Sequence, residues 1–314
     1  MFIFCGLLPA KEAWNADSVS LISKLCKHGS HPCALMKTNI QPCLTLLYDQ
    51  PVIDLPDPLG LALAISNVEG NPHAENIQLT VRLQESYKLV ATLSFEAHTI
   101  HILGASMPLP KQVIERLKQT SHWQGRFKDA LSAHQSQIVL SYAGDAKDAL
   151  EKMLALYKTA HALHNEHLLA VVNEPAWTAH PVLDTLDPER IRSYREVLPF
   201  ILWFGYIKLP LNPEVFFLIT KGHNIFRLPE LAWLCQPGVN LADVMNHFFN
   251  VFYYMQSVSG KVRPGDTLEI VESGTTLRFG ELPDLDVFEP WQVEPQSTLL
   301  LEKIDPTEVN SDRQ

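Results

Sequence analysis

The side chains of this 314-residue chain best suited to acid–base chemistry lie in its last third. Glu230, His223 and Asp266 supply two carboxylates and an imidazole, the groups that take up and return protons in hydrolysis. Lys221, Asn224 and Arg227 add donors able to orient a polar ligand. Each residue also has a structural reading. Glu230 follows Leu228-Pro229 in an apolar run, where a carboxylate needs a partner such as Arg227. Asp266 stands in Pro264-Gly265-Asp266-Thr267, where an Asp ordinarily bonds the amides of its own turn. For both carboxylates the structural reading is favoured over the catalytic one.

Other constellations fail on spacing. His161, His164 and His167 recur at three-residue intervals in a predicted helix, and at 3.6 residues per turn the third points roughly 120° away from the first. His98 and His101 fall on opposite faces of a predicted strand. Among Cys5, Cys26, Cys33, Cys43 and Cys235 no pair is two to four residues apart, so Cys26, Cys33 and Cys43 with His28 and His31 make a poor zinc set. Gly104-Ala105-Ser106-Met107-Pro108 lacks the second glycine of a nucleophile elbow, and neither phosphate-binding nor dinucleotide-binding glycine pattern occurs. The expectation is no metal and no cofactor.

Positioning these residues requires strands and helices that the periodicity predicts in alternation. Expected elements are a strand at 2–7, a helix at 16–28, apolar runs at 43–48 and 59–68, and polar turn-forming residues at 69–76. Strands follow at 89–95 and through Ile100 and Ile102, then a helix at 111–119. The clearest unit is a βαβ segment at about 136–173, with strands at 137–142 and 168–172 running parallel and a helix from Asp145 to about Asn165. Leu150, Leu154 and Tyr157 form the core stripe of that helix. Buried strands are expected at 200–207 and 215–220, a helix from an Asn240 cap to about Ser259, and a strand at 268–271. The fold class is α+β, mixed sheets with packed helices. The divisions are a 1–75 N-terminal α/β segment, a 76–185 central region carrying the βαβ unit, and a 186–314 C-terminal α+β region ending in an acidic segment.

Composition narrows the functional classes. Hydrophobic residues make up 46% and charged residues 19%, which supports a sizeable core and excludes global disorder. A net charge of −10 argues against nucleic acid as a partner. Residues 281–314 hold nine acids against Lys303 and Arg313, seven of those ten charges, with Trp291 and Leu299-Leu300-Leu301 as apolar anchors. The apolar run at 198–207 is too short to span a membrane. No basic residue precedes Lys11 in the apolar N-terminus, so no secretory signal is read, and the odd cysteine count fits a reducing cytoplasm.

Met107-Pro108-Leu109-Pro110, the stretch 130–141, Thr220-Lys221-Gly222 running to Phe226, Leu228-Pro229-Glu230-Leu231 and Pro264-Gly265-Asp266-Thr267 together resemble a bacterial family catalogued as domain of unknown function 4261. The resemblance covers roughly residues 88–270 and departs at Arg227, where the family pattern has a glycine. It implies no catalytic residue; it implies the company of secreted toxins, as an immunity or adaptor protein. The expected function is thus a non-enzymatic cytoplasmic bacterial protein-binding module. Its partner is a protein, basic in character, with Lys221, Asn224, Arg227 and Trp291 as binding candidates and homo-oligomerisation through aromatics of the last third as a further possibility. The alternative is a hydrolase using Glu230, His223 and Asp266.

Overall fold

A computed structural model describes residues 41–51, 55–70, 77–85, 88–123, 125–271, 273–283 and 297–305. The expected strand at 2–7, the helix at 16–28, Cys5, Cys26, Cys33, His28, His31 and Trp291 lie outside the described residues.

The first sheet contains β1 (Cys43–Tyr48), β2 (Gln78–Glu85), β3 (Lys88–Phe95), β4 (His98–Ala105), β5 (Ser136–Tyr142), β6 (Leu168–Asn173) and β7 (Thr178–Pro181), in the order β2-β3-β4-β5-β1-β6-β7. Every neighbouring pair is antiparallel. β5 and β6 run in the same direction, as the βαβ pattern predicts, but β1 is inserted between them and hydrogen-bonds to both. That position explains why every residue of β1 is buried. Leu44 and Leu46 face one apolar layer while Leu47 faces another, so the strand is covered on both sides and reads as a continuous apolar run.

Two longer helices cover the first of those faces. They are α1 (Pro58–Glu69), which Asp57 caps by accepting from the amides of Leu59 and Gly60, and, after α2 (Lys111–Thr120), α3 (Ala149–Ala162), capped by Asp148. Leu61, Ile65, Leu154 and Tyr157 pack there, whereas Val113, Ile114 and Leu117 of α2 meet Leu47, Ala170 and Val172 on the opposite face. Instead of showing one core stripe, α3 is buried nearly all round, Lys152 and Lys158 included. The Lys158 ammonium contacts the Glu69 carboxylate at the end of α1, and Arg195, just beyond α4 (Pro188–Ser193), joins Glu69 at 3.7 Å to Glu151 at 3.0 Å. Burial, with Arg195 nearby, lowers the Lys158 pKa to about 8.

The second sheet has the order β11-β12-β13-β10-β9-β8. Its members are β8 (Gly205–Pro210), β9 (Phe216–Lys221), β10 (Glu230–Cys235), β11 (Thr267–Ile270), β12 (Thr275–Glu281) and β13 (Thr298–Ile304). β10 and β13 are parallel and the other pairs antiparallel. On one face lies α5 (Leu241–Ser257), beginning at the expected Asn240 cap and burying Val244, Phe248, Val251, Phe252 and Met255. The two sheets and their helices make an α+β fold, and one apolar cluster runs from Leu44 in the first sheet to Leu301 in the second. Leu299-Leu300-Leu301 lie in β13, between β10 and β12, so the acidic C-terminal segment contains an interior strand and cannot be removed without opening the sheet.

The single strand expected at 200–207 is instead a helical turn, Phe200–Trp203, followed by β8 from Gly205. An unbroken apolar run carries no periodicity to separate the two. Pro199 sets the turn, since a proline before the first helical residue forfeits no hydrogen bond, and it drives Trp203 and Phe204 into the core. The turn's last carbonyls, those of Leu202 and Trp203, accept from the buried amide of Asn173 at the end of β6, each at 3.2 Å. Next to this point the β6–β7 turn lies on β8 so closely that a Cβ at Gly205 would sit 1.9 Å from the Ala176 carbonyl oxygen. Replacement Gly205→Ala should therefore cost about 2–4 kcal/mol, because the obstacle is backbone. Gly280→Ala, where the added carbon finds its nearest neighbour at 3.7 Å, should change stability by less than about 1 kcal/mol. Urea unfolding midpoints of the two variants test the contrast, and equal midpoints would remove the claim of a tight junction.

Candidate functional site

The segment joining β9 to β10 gathers most of the polar residues singled out in the sequence. β9 ends at Lys221, Gly222 turns the chain at φ 107°, and a 3-10 turn, His223–Phe226, leads to Arg227. Glu230 then opens β10, and its buried carboxylate reaches back over the turn. Oε2 accepts from the Thr220 hydroxyl at 2.8 Å, and Oε1 accepts from the amides of Gly222 at 2.9 Å and Asn224 at 3.5 Å. Thr220 Oγ1 in turn accepts from the Leu231 amide at 2.8 Å. The partner of Glu230 is therefore the turn itself and not Arg227, which is exposed. Burial raises the Glu230 pKa, while neighbouring Lys221 and these hydrogen bonds act in the opposite sense.

His223 lies in the same turn but serves the core. Its Nδ1 donates to the Pro229 carbonyl at 3.2 Å, and its ring packs edge-on to Phe204 and against Phe252. Burial depresses its pKa to about 3, so the ring is neutral at physiological pH. Arg227 closes the turn in the left-handed region, φ 60° and ψ 31°. That conformation costs an L-residue about 1 kcal/mol and glycine nothing. Asp266 is held elsewhere, in an exposed turn, where its Oδ2 accepts from the Arg263 amide at 2.8 Å and its own carbonyl accepts from Phe279 at 2.9 Å. The structure thus brings Lys221, His223, Asn224 and Glu230 into one segment, with carboxylate and imidazole each occupied by its own turn, and it keeps Asp266 in a different one.

Several other described histidines also have structural partners. His134 accepts from the Leu109 amide on Nε2 at 2.6 Å and so donates from Nδ1 to the Leu131 carbonyl at 2.7 Å, pinning the Met107–Pro110 stretch to the one that begins at 130. His161 bonds the Leu186 carbonyl, and His167 pairs with Asp49 at 3.1 Å. His98 is buried against Tyr142 while His101 is half-exposed beside Thr92, as the alternation of β4 requires. Sequence reasoning missed His180, which is fully buried, accepts from Trp123 Nε1 at 3.0 Å and has its pKa lowered to about 3 by burial. Cys43 donates to Glu174, whose pKa is raised by burial. Among the described residues no group of three or more His, Cys, Asp or Glu is placed to hold a metal ion.

One further feature of the described residues is apolar and on the surface. Phe200, on the helical turn, packs its ring 4.3 Å from Phe249 and 5.4 Å from Tyr253 of α5. Around this trio Val197, Ile201 and Tyr253 are 68%, 54% and 48% exposed. Scattered exposed apolar side chains are ordinary, but these stand next to an aromatic cluster that is itself at the surface. Its only signal in the sequence was the aromatic density of the last third.

The buried histidines set an acid limit. In the unfolded chain His180 and His223 titrate near 6.5, and in the folded chain near 3, so the unfolded state binds more protons between those values. Their contribution is complete above pH ~6.5 and is lost, at about 1.4 kcal/mol per pH unit each, as the pH falls toward 3. Glu230 works in reverse: its raised folded pKa makes the native state hold a proton longer, which disfavours folding as pH rises through that window. Urea midpoints between pH 7.5 and 4.5 should fall steeply for the unaltered chain and less steeply for His223→Asn, by up to about 1.4 kcal/mol per pH unit. An identical slope would show that His223 is not held neutral. At pH 7, Glu230→Ala should cost about 2–4 kcal/mol through the donors it strands.

No protein-family model matches the chain, and no curated protein or solved structure matches it.

Proposed function

We propose that this chain is a non-enzymatic protein-binding module, acting in the bacterial cytoplasm as an immunity or adaptor protein for a secreted toxin. The observation that carries the reading is the exposed apolar group of Val197, Ile201 and Tyr253 around Phe200 and Phe249. Such a cluster supplies the aromatic and aliphatic anchors that dominate binding energy at protein interfaces. The net charge of −10 suits a basic partner, which long-range attraction would steer onto the surface. The resemblance to the uncharacterised bacterial family supports the toxin-associated setting. In keeping with a partner in water, no helix among the described residues is long and apolar enough to cross a membrane.

The hydrolase alternative draws no support from the polar residues of the last third, because Glu230 and His223 are taken up by hydrogen bonds of their own segment and Asp266 by another. The test is co-expression of the full chain with the products of its flanking genes, followed by purification. One basic product should remain bound to the unaltered chain, and Ile201→Asp or Tyr253→Asp should weaken that complex at least about tenfold. Raising the salt from about 0.05 to 0.5 M should slow association more than it speeds dissociation. Failure of every flanking product to bind, or undiminished binding by both variants, would refute the proposal.

A further inference from the structure

The corner between the sheets also holds an enclosed polar group. Asn173 and Thr178 face each other across the β6–β7 hairpin, and His180 follows opposite Val171. Cross-strand partners, and residues two further along either strand, point to the same face of a sheet. Here that face belongs to the cluster of Val171, whereas Val172 and Ala179 point into the other one. All three polar side chains are 0% exposed.

Their hydrogen bonding is complete on one side only. The Asn173 amide gives its protons to the Leu202 and Trp203 carbonyls, and its Oδ1 has no partner among the described residues. His180 Nδ1 accepts from Trp123 Nε1 at 3.0 Å, so the neutral ring carries its own proton on Nε2. That ring borders the Leu202 carbonyl, as the Asn173 amide does, but Nε2 makes no aligned bond to it. Thr178 Oγ1 is likewise without a partner among the described residues. One acceptor, one donor and one hydroxyl able to act as either are thus enclosed on one face, and none bonds another. Buried polar groups are rarely left so, because the desolvation each has undergone is then uncompensated.

The chemistry of the three atoms selects what joins them. A metal ion would need a lone pair on Nε2, which holds the proton, and an anion has no proton to give Asn173 Oδ1. Water both accepts and donates. We propose that this face of the hairpin is the binding site of one water molecule, which accepts from His180 Nε2, donates to Asn173 Oδ1 and bonds the Thr178 hydroxyl. About three partners is the ordinary number for a buried water. The water extends a chain of hydrogen bonds from Trp123 through His180 to Asn173 and on to the Leu202 and Trp203 carbonyls. It therefore ties the segment after α2 to the turn that opens the second sheet.

The full chain tests this in three ways. A high-resolution crystal structure should place a water oxygen within about 3.2 Å of all three atoms. In solution, nitrogen-15 spectra should show His180 protonated on Nε2, and that proton should exchange magnetisation with a long-lived water. Thr178→Val keeps the shape of the side chain and removes the hydroxyl. It should lower the urea midpoint, because the water loses a partner, whereas deleting an unpaired hydroxyl would leave the midpoint unchanged or raise it. A His180 Nε2 bonded directly to the Leu202 carbonyl with no water beside it, a ring protonated on Nδ1, or an undiminished midpoint for Thr178→Val would each overturn the proposal. Should the variant fail to fold, the crystal structure and spectra of the unaltered chain still decide.

Discussion

Two sheets become one body through a corner where no side chain fits. The amide of Asn173 at the end of β6 gives both its protons to the carbonyls of Leu202 and Trp203, and the Ala176 carbonyl rests on the bare backbone of Gly205. This fixes the depth to which Trp203 enters the core, where it stacks on Tyr157 of α3 and meets Tyr194 edge-on. Aromatic pairs of this kind hold only at particular offsets, so a shift at the corner would be felt in the packing of α3 and in the layer between the sheets. Phe200 lies three residues before Trp203, so the proposed binding surface adjoins this corner.

The β9–β10 segment shows how a buried carboxylate can be a backbone element. Glu230 accepts the amide protons that a 3-10 turn leaves unpaired at its start, the task an N-capping residue performs from the other direction along the chain. Removing a carboxylate from water is unfavourable, and the raised pKa expresses that cost. Three donors and nearby Lys221 offset it. Glutamate beside histidine and lysine resembles catalytic machinery in sequence, yet here each group is oriented toward the chain instead of toward a substrate.

Regularly patterned elements were legible. The alternation over 89–95, broken only at buried Val90, the Asn240 cap and the run at Cys43–Tyr48 each state a local rule that tertiary packing respects. Less legible was anything decided by distant partners. The apolar stretch after Pro199 is compatible with helix or strand, and the carbonyl demand of Asn173 settles it. Full burial of Lys152 and Lys158 in α3 could not be read from a helical stripe, because α1 and Arg195 come from elsewhere in the chain. The turn role of Asp266 was visible locally, since its acceptor and donor are three residues apart; the role of Glu230 was not, since its donors lie six to ten residues away in an adjoining strand and turn.

The central place of β1 bears on how the chain reaches this state. Residues 43–48 are made before both strands that flank them, β5 and β6, which come about a hundred residues later. Until that synthesis is complete, an apolar strand with two open edges has no partner in its own sheet. β5 and β6, once made, present facing edges across an empty slot of strand width, and any extended apolar segment could occupy it. Such long-range pairing makes sheet closure a late and slow event. For a growing chain, the hazard is therefore greatest in the interval between release of residue 173 and insertion of a strand that left the ribosome long before.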